Sequence, residues 1–377
     1  MQGLQTSIST LGIPGYACPA WFAAPPSMAD APSIVLVDSA GPNVEDLLAA
    51  GALALADAGV GARIALADDA RDASTAAQVA EAAVAWGADV VLGHYGARTA
   101  VPASRIYGRH GVLFLAPGTS ATSLCAADAP TTWQCFGRDC EQLQCLADAA
   151  AQAACIAIVA QTDNYGADLA QGLDASLGAR RCVARIDGEV ARTGTTTPAW
   201  PAIDHTADLA YVFGSKEFAA RVLADDAFVP ASTPLVFADE CYGAEFLSAP
   251  RLAARSHVAY LERTGDTLVD RSATALRACA ARWMGREPGA YFETSYLAMR
   301  AFAAAWQAGR RGADAIGASI ASRTWLTPFG ALCWNASRQL TGHRWTLQLA
   351  GRPRTQPTAA VAARVAAATD TPCTLES

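Results

Sequence analysis

The sequence predicts an α/β fold of two lobes, each built on a parallel sheet, with a cleft between them. Three observations carry the prediction. Short apolar runs alternate with helical segments twice over, and the crossovers are long enough to make neighbouring strands parallel. Three consecutive helical patterns follow, over 272–283, 291–308 and 313–322, and would return the chain to the first lobe. The stretch 87–124 reads as one β-α-β unit whose strands both stop at loops of small and hydroxylated residues.

Taken in order, residues 33–37 (SIVLV) form the first strand, followed by a helix over 44–58 after the Gly41-Pro42-Asn43 break. Residues 63–67 make the second strand, and 74–86 a helix with Ser74 as its N-cap. Runs 89–92 and 112–115 supply strands three and four, joined by a helix over about 102–110. After a cysteine-containing connection, 141–152 reads as helix, 155–160 as strand and 166–177 as helix. Strands follow at 182–186 and 210–213, then a helix at 217–225 and a strand at 234–237. Of the three later helices, the middle one is apolar on most faces and is expected to be buried. The runs 325–334 and 343–349 read as late antiparallel strands. Residues 1–31 hold Pro14, Pro19, Pro25 and Pro26 without apolar periodicity, so an irregular leader is expected, and 351–377 reads as a loose Pro- and Ala-rich tail.

At 377 residues the chain has room for two domains. Hydrophobic residues make up 52% and charged residues 17%, the balance of a globular sequence. A net charge of −7 argues against a nucleic-acid partner, since neutralising phosphates needs a basic patch. No run of about 18 apolar residues occurs, so no transmembrane segment is expected. The leader lacks the basic start and compact apolar middle of a secretory signal. Residues 27–31 loosely match a small-residue cleavage site, and Cys18 follows Gly15-Tyr16-Ala17 as a lipid-bearing cysteine would. A disordered leader or a displaced start codon is the plainer reading. Eleven cysteines show no paired C-x-x-C metal spacing. Cys125 with Cys135 and Cys140 with Cys145 lie close enough to pair, so extracytoplasmic disulfides and buried free thiols both stay open.

In an open parallel sheet, ligands bind beyond the carboxyl ends of the strands. The loops of 87–124 carry Gly93, Gly96, Thr99, Gly118, Thr119, Ser120 and Thr122, which let a ligand approach backbone amides. The turn after the first strand, Asp38-Ser39-Ala40-Gly41-Pro42, is no dinucleotide fingerprint, and neither a phosphate-binding P-loop nor a G-x-S-x-G elbow occurs. The five histidines are scattered; His94 ends a strand and is either a cleft group or, the commoner case, a hydrogen-bonded structural one. Asp68 and Asp69 read as solvated loop charges. No acid and base stand together, so neither an enzyme nor a cofactor or metal is expected. The pattern is that of a protein that holds a small molecule.

The run Gly93-His94-Tyr95 through Pro102-Ala103-Ser104, with Ile106-Tyr107, Gly111-Val112-Leu113 and Pro117-Gly118-Thr119-Ser120, resembles the branched-chain (Leu/Ile/Val) amino-acid-binding proteins of bacterial ABC transporters, which are type I periplasmic binding proteins. The similarity continues at Ile156-Ala157-Ile158-Val159 with Asn164-Tyr165-Gly166, along 291–306, and at Thr327-Pro328-Phe329-Gly330 with Cys333-Trp334-Asn335. It covers roughly residues 32–350. The resemblance implies two Rossmann-like lobes joined by a three-segment hinge: an irregular leader 1–31, lobe 1 from 32–137 plus about 258–325, lobe 2 from 138–257 plus about 326–350, and a tail 351–377. It implies a periplasmic location, a permease and an ATPase as partners, a ligand trapped by hinge closure, and no chemistry on that ligand. By the same resemblance, an amino acid's carboxylate sits against Ala97, Arg98 and Thr99 beside Tyr95. Its ammonium meets the carbonyl of Thr119, the hydroxyl of Ser120 and the carboxylate of Glu240, and Tyr165 covers it from the second lobe.

Each role has a physical basis. Amides at a helix start favour an anion, a serine hydroxyl can donate and accept, and Glu240 follows a strand directly. The sequence also departs from the family. Ala97 replaces a carboxylate-binding serine, the loop 39–45 is short, and Lys216 stands where an aromatic is usual. If Arg98 and Lys216 point into the cleft, a more anionic ligand such as a dicarboxylate or aromatic acid becomes an option. The main alternative function is a ligand sensor of the same fold, such as an amide sensor acting on a partner regulator.

Overall fold

The computed structural model describes residues 30–39, 41–151, 153–162, 164–177, 181–188, 207–224, 233–242, 246, 256–262, 267–327 and 330–349. The leader up to residue 29 and the tail from 350 lie outside the described residues.

Two parallel-rich sheets organise the chain. The first runs β2-β1-β3-β4-β5, built from β1 (Ser33–Val37), β2 (Arg63–Ala67), β3 (Val90–Gly93), β4 (Leu113–Ala116) and β5 (Thr132–Gln134), all parallel. The β1 run SIVLV is buried throughout, as expected of a strand covered by helices on both faces. The second sheet runs β14-β10-β9-β8-β6-β7, from β6 (Cys155–Gln161), β7 (Arg181–Gly188), β8 (Leu209–Phe213), β9 (Leu235–Phe237), β10 (Ser256–Glu262) and β14 (Arg344–Leu349). Only β14 runs antiparallel, on β10. In each sheet the strand order reverses direction, at β1/β3 in the first and at β6/β8 in the second. Ligands of open α/β sheets bind at such switch points.

The helices follow from local chemistry. α1 (Pro42–Ala58) starts on a proline in its first turn and stops at Gly59 in the left-handed region. α2 (Ala73–Trp86) is capped by Asp72, whose carboxylate accepts from the amides of Ser74 and Thr75, so Ser74 is not the cap. α3 (Ala97–His110) begins five residues before the expected Pro102, which lies in the second turn and forgoes a single backbone bond. That early start brings the N-terminus of α3 to the strand ends. α4 (Asp139–Ala149), α5 (Asn164–Leu177) and α6 (Lys216–Ala224) serve the second sheet. α7 (Thr267–Met284), α8 (Phe292–Gln307) and α9 (Ala313–Ala321) return to the first. α8 is buried on most faces and packs along α1.

Several elements differ from the sequence reading. β5 lies in the stretch read as connection, and β10 in one given no element. The run 325–334 is a hairpin, β11 (Trp325–Thr327) and β12 (Gly330–Trp334), joined by β13 (Leu340–Thr341) in a small antiparallel sheet. This sheet is pinned to β5 of the first lobe, where the Gln134 amide donates to the Arg338 carbonyl at 3.0 Å and Arg338 Nε donates to the Thr132 carbonyl at 3.0 Å. β10, residues 258–262 included, thus lies in the second sheet together with β14, while β11–β13 sit against β5 of the first. Cys125, Cys135, Cys140 and Cys145 are free thiols, as are Cys155, Cys241, Cys279 and Cys333. No described helix is long and apolar enough to cross a membrane, and no described cluster could hold a metal ion.

Candidate functional site

A cavity of about 680 Å³ lies between the carboxyl ends of the two sheets, lined from both lobes. The first lobe contributes the residue after β1 (Asp38), the loop after β2 (Asp69–Asp72), the turn from β3 into α3 (Tyr95–Thr99), and Gly118 and Ser120 after β4. The second contributes Gln161 at the end of β6 and Thr162 after it, Asp139 at the start of α4, Tyr165 and Asp168 on α5, and Asp239 and Glu240 after β9. Tyr291, just before α8, completes the wall.

The first-lobe wall is set by a buried polar chain. His94 is fully buried; Nδ1 lies 2.9 Å from Asp69 Oδ2 and Nε2 lies 2.9 Å from the Tyr107 hydroxyl. Because the carboxylate only accepts, the ring proton sits on Nδ1. The Thr119 hydroxyl donates to the His94 carbonyl at 2.7 Å. Burial raises the Asp69 pKa, but hydrogen bonds from His94, the Arg71 amide and Thr99 outweigh it and leave Asp69 below its ordinary value. Ala70 and Arg71 sit at φ 51° and 52°, a left-handed turn steadied by the Asp68 and Asp69 carboxylates accepting from their amides. The turn aims Arg71 across the cleft. Its Nε donates to Ser39 Oγ at 2.9 Å, and Nη1 reaches Glu240 Oε1 of the other lobe at 3.5 Å.

Beside it, α3 opens on the cavity. The Gly96 carbonyl takes the amides of Thr99 and Ala100, leaving the first-turn amides of Ala97 and Arg98 directed toward the cleft, with the positive end of the helix dipole behind them. A helix start of this kind suits an anion.

The second-lobe wall is acidic and aromatic. Asp239, 3% exposed, accepts from Gln142 Nε2 at 2.8 Å, from the Tyr165 hydroxyl, and at 3.4 Å from the Tyr291 hydroxyl. Burial nevertheless holds its pKa above the ordinary value. Tyr291 stacks on Tyr95 with centroids 4.9 Å apart, and the Tyr95 hydroxyl pairs with Ser295 Oγ at 2.7 Å. Asp139, hydrogen-bonded by Ser120 and repelled by Asp239 and Asp168, is pushed up to about 6, chiefly by burial. Burial likewise raises Asp38, reinforced by Asp69.

The aromatic floor yields a prediction. A Cβ added at Gly118 would lie 2.0 Å from Tyr95 Cδ1. Gly118→Ala is expected to displace the Tyr95 ring from Tyr291 and to weaken ligand binding while the chain still folds. Titration of the variant with the wild-type ligand measures the loss.

Of the residues expected at the site, Tyr95, Ala97, Arg98, Thr99, Ser120, Tyr165 and Glu240 line the cavity. Thr119 and Lys216 do not. The Thr119 hydroxyl is spent on His94, and its carbonyl accepts Gln134 Nε2 at 2.9 Å. Arg98 reaches the cleft but pairs with Asp72 at 3.7 Å. The condition for an anionic ligand, Arg98 and Lys216 both pointing in, is therefore not met. Sequence reasoning missed Asp38, Arg71, Asp139, Asp168, Asp239 and Tyr291. For Asp38 and Asp239 a signal existed, since Asp38 directly follows β1 and Asp239 comes two residues after the end of β9. Asp69 was read as a solvated loop charge and is in fact 1% exposed.

No family model matches the chain. A 75-residue segment is 36% identical to the Leu/Ile/Val-binding protein homolog 2 of Brucella abortus; the match spans 20% of this chain and 20% of that protein. Among solved structures, the branched-chain amino acid transporter substrate-binding protein LivJ of Streptococcus pneumoniae, in complex with isoleucine, superposes with a TM-score of 0.69. Its identity is 13%, over 84% of this chain and 100% of that one. A type 1 periplasmic binding protein of Bordetella pertussis gives a TM-score of 0.67 at 15% identity, over 84% of this chain and 96% of that one. At such identities the likeness shows the fold, which is the two-lobed type I periplasmic binding protein fold.

Proposed function

We propose that the protein is the extracytoplasmic solute-binding component of an ABC transporter. It traps an amino acid or a related small carboxylate between its lobes by hinge closure and does no chemistry on it. The observation that carries this reading is the cavity at the two facing switch points, with an amide-bearing helix start at one end and carboxylates across from it. The ligand carboxylate is placed against Ala97, Arg98 and Thr99, and its ammonium against Ser120 and Glu240 under Tyr165. Arg71 with Glu240, and Tyr291 with Asp239, already bridge the lobes. A bound solute adds to these bridges and favours the closed form. The partners are then a membrane permease and its ATPase, and the compartment is the periplasm.

A thermal-shift panel of amino acids, dicarboxylates, aromatic acids and amides tests the reading. A ligand that binds only the folded state at about 100 times its Kd adds roughly 2.7 kcal/mol and raises Tm visibly. Small-angle scattering should show compaction with the same compound. A panel in which nothing shifts Tm and nothing compacts the protein overturns the proposal. Glu240→Ala should weaken an amino-acid hit by about 30-fold, the loss of one partly buried charge contact of about 2 kcal/mol. An unchanged Kd would remove Glu240 from the ammonium site.

A further inference from the structure

The walls of the cavity carry far more negative than positive charge. Among the described residues, seven carboxylates line it (Asp38, Asp69, Asp72, Asp139, Asp168, Asp239 and Glu240) against two guanidinium groups. Both cations are already engaged, Arg71 with Glu240 and Arg98 with Asp72. Asp69 is held by His94. Resting on the solute-binding reading above, we propose that the solute is a basic amino acid, with a second ammonium or guanidinium on its side chain seated against Asp139, Asp168 and Asp239.

These three carboxylates stand together on the second-lobe wall around Tyr165, and none has a basic side chain within ion-pair distance among the described residues. Asp139 and Asp168 reach the cavity from the starts of α4 and α5; Asp239 reaches it after β9. Three hydroxyl or amide donors hold Asp239, but none brings a charge. Asp139 Oδ1 is buried without a hydrogen-bond partner. Asp139 feels both of the others as like charges, and the trio is therefore short of a counter-ion. Closure on a neutral side chain would desolvate these groups with nothing to offset the cost. A cationic side chain supplies the missing charge, beside the aromatic rings of Tyr165 and Tyr291 that line the cavity. The carboxylate of the same ligand has its own place at the start of α3, on the other lobe. An acidic or aromatic acid, by contrast, would meet arginines that are already paired and carboxylates that repel it.

Calorimetric titration of the full chain with L-arginine, L-ornithine, L-leucine, L-glutamate and putrescine tests this. Arginine or ornithine is expected to bind at least about 10-fold more tightly than leucine, with putrescine weaker for want of a carboxylate. Asp168→Asn, at an exposed position that leaves folding undisturbed, and Asp139→Asn should each shrink the ratio between basic and neutral ligands. Leucine or glutamate binding more tightly than both basic amino acids overturns the proposal and leaves the solute-binding reading standing. So does a preference for arginine that survives both substitutions, while putrescine matching ornithine overturns the amino-acid part. No heat and no Tm shift with any of the five, on protein with native circular dichroism, overturns this inference, and silence across the wider panel then takes the solute-binding reading with it.

Discussion

Gly93→Ala should leave a chain that either fails to reach the native state or loses about 4 kcal/mol or more of stability. Gly93 ends β3, pairs with Val37 of β1, and holds a φ of 138°, where an L side chain is strained. A Cβ there would lie 1.8 Å from the Val37 carbonyl oxygen and 2.7 Å from its carbon. Both are backbone atoms of a central strand, so no rotamer change relieves the overlap. The next amide, of His94, donates to that same Val37 carbonyl at 2.9 Å, and His94 follows at φ 50°. The glycine thus lets the chain turn sharply at the switch point and hand His94 to Asp69. Gly51→Ala is the matched control. Its added Cβ would meet Leu36 and Met299 at 3.8 Å, ordinary contact, inside a helix where alanine is favoured by up to about 1 kcal/mol. Urea midpoints followed by circular dichroism separate the two cases. A wild-type midpoint for Gly93→Ala would refute the close approach of β3 to β1.

Asp139→Asn should make the ligand-free protein more stable at pH 8, by an amount that fades as pH falls toward 4. The Asp139 carboxyl is raised from 3.8 to about 6 in the folded chain, mainly by burial, with Asp239 and Asp168 adding repulsion and the Ser120 hydroxyl opposing it. At about 1.4 kcal/mol per pKa unit, keeping it charged above pH 6 costs the native state roughly 3 kcal/mol. Asp139 also opens α4, where a negative charge gains about 0.5 kcal/mol from the helix dipole. The burial cost wins, and a net gain of about 2 kcal/mol is expected for the neutral side chain. The sign follows from proton linkage. Between pH 6 and 4 the native carboxyl binds a proton that the unfolded one does not, so its contribution to stability rises as pH falls and is lost as pH climbs through 6. Denaturation of both proteins at pH 5 and pH 8 measures the effect. A gap that is the same at both values means Asp139 does not carry an uncompensated charge. The same titration would make binding of a cationic ligand weaken below pH 6, because Asp139 then no longer presents a charge.

Much of the fold was legible because it rests on local chemistry. The β1 run SIVLV, the stops at Gly59, Gly87 and Gly111, and the apolar α8 are signals carried within a few residues. The misplacements share one cause. Pro102 is a favourable helix start by itself, yet α3 begins at Ala97, directly after the extended Gly96 that ends the turn from β3. Strand β5 is too short to announce itself, and the run 325–334 showed strand character but not its split into a hairpin; β5 and the small sheet hold together through Arg338 and Gln134, partners distant in sequence.

The candidate site divides along the same line. Composition, the alternation of strands and helices, and the small-residue loops of 87–124 determined by themselves that this is an α/β protein with a ligand crevice at its strand ends. Period and turn chemistry act over a handful of residues, so one chain is enough to read them. Which charges fill the crevice was decided only in three dimensions. Asp69 looks like a solvated loop residue until His94 buries it, and Arg98 looks like an anion receptor until Asp72 takes it. Asp139, Asp168 and Asp239 become one acidic wall only when α4, α5 and the end of β9 converge. Electrostatics depends on distance and burial between residues remote in sequence, and those quantities exist only in the folded chain.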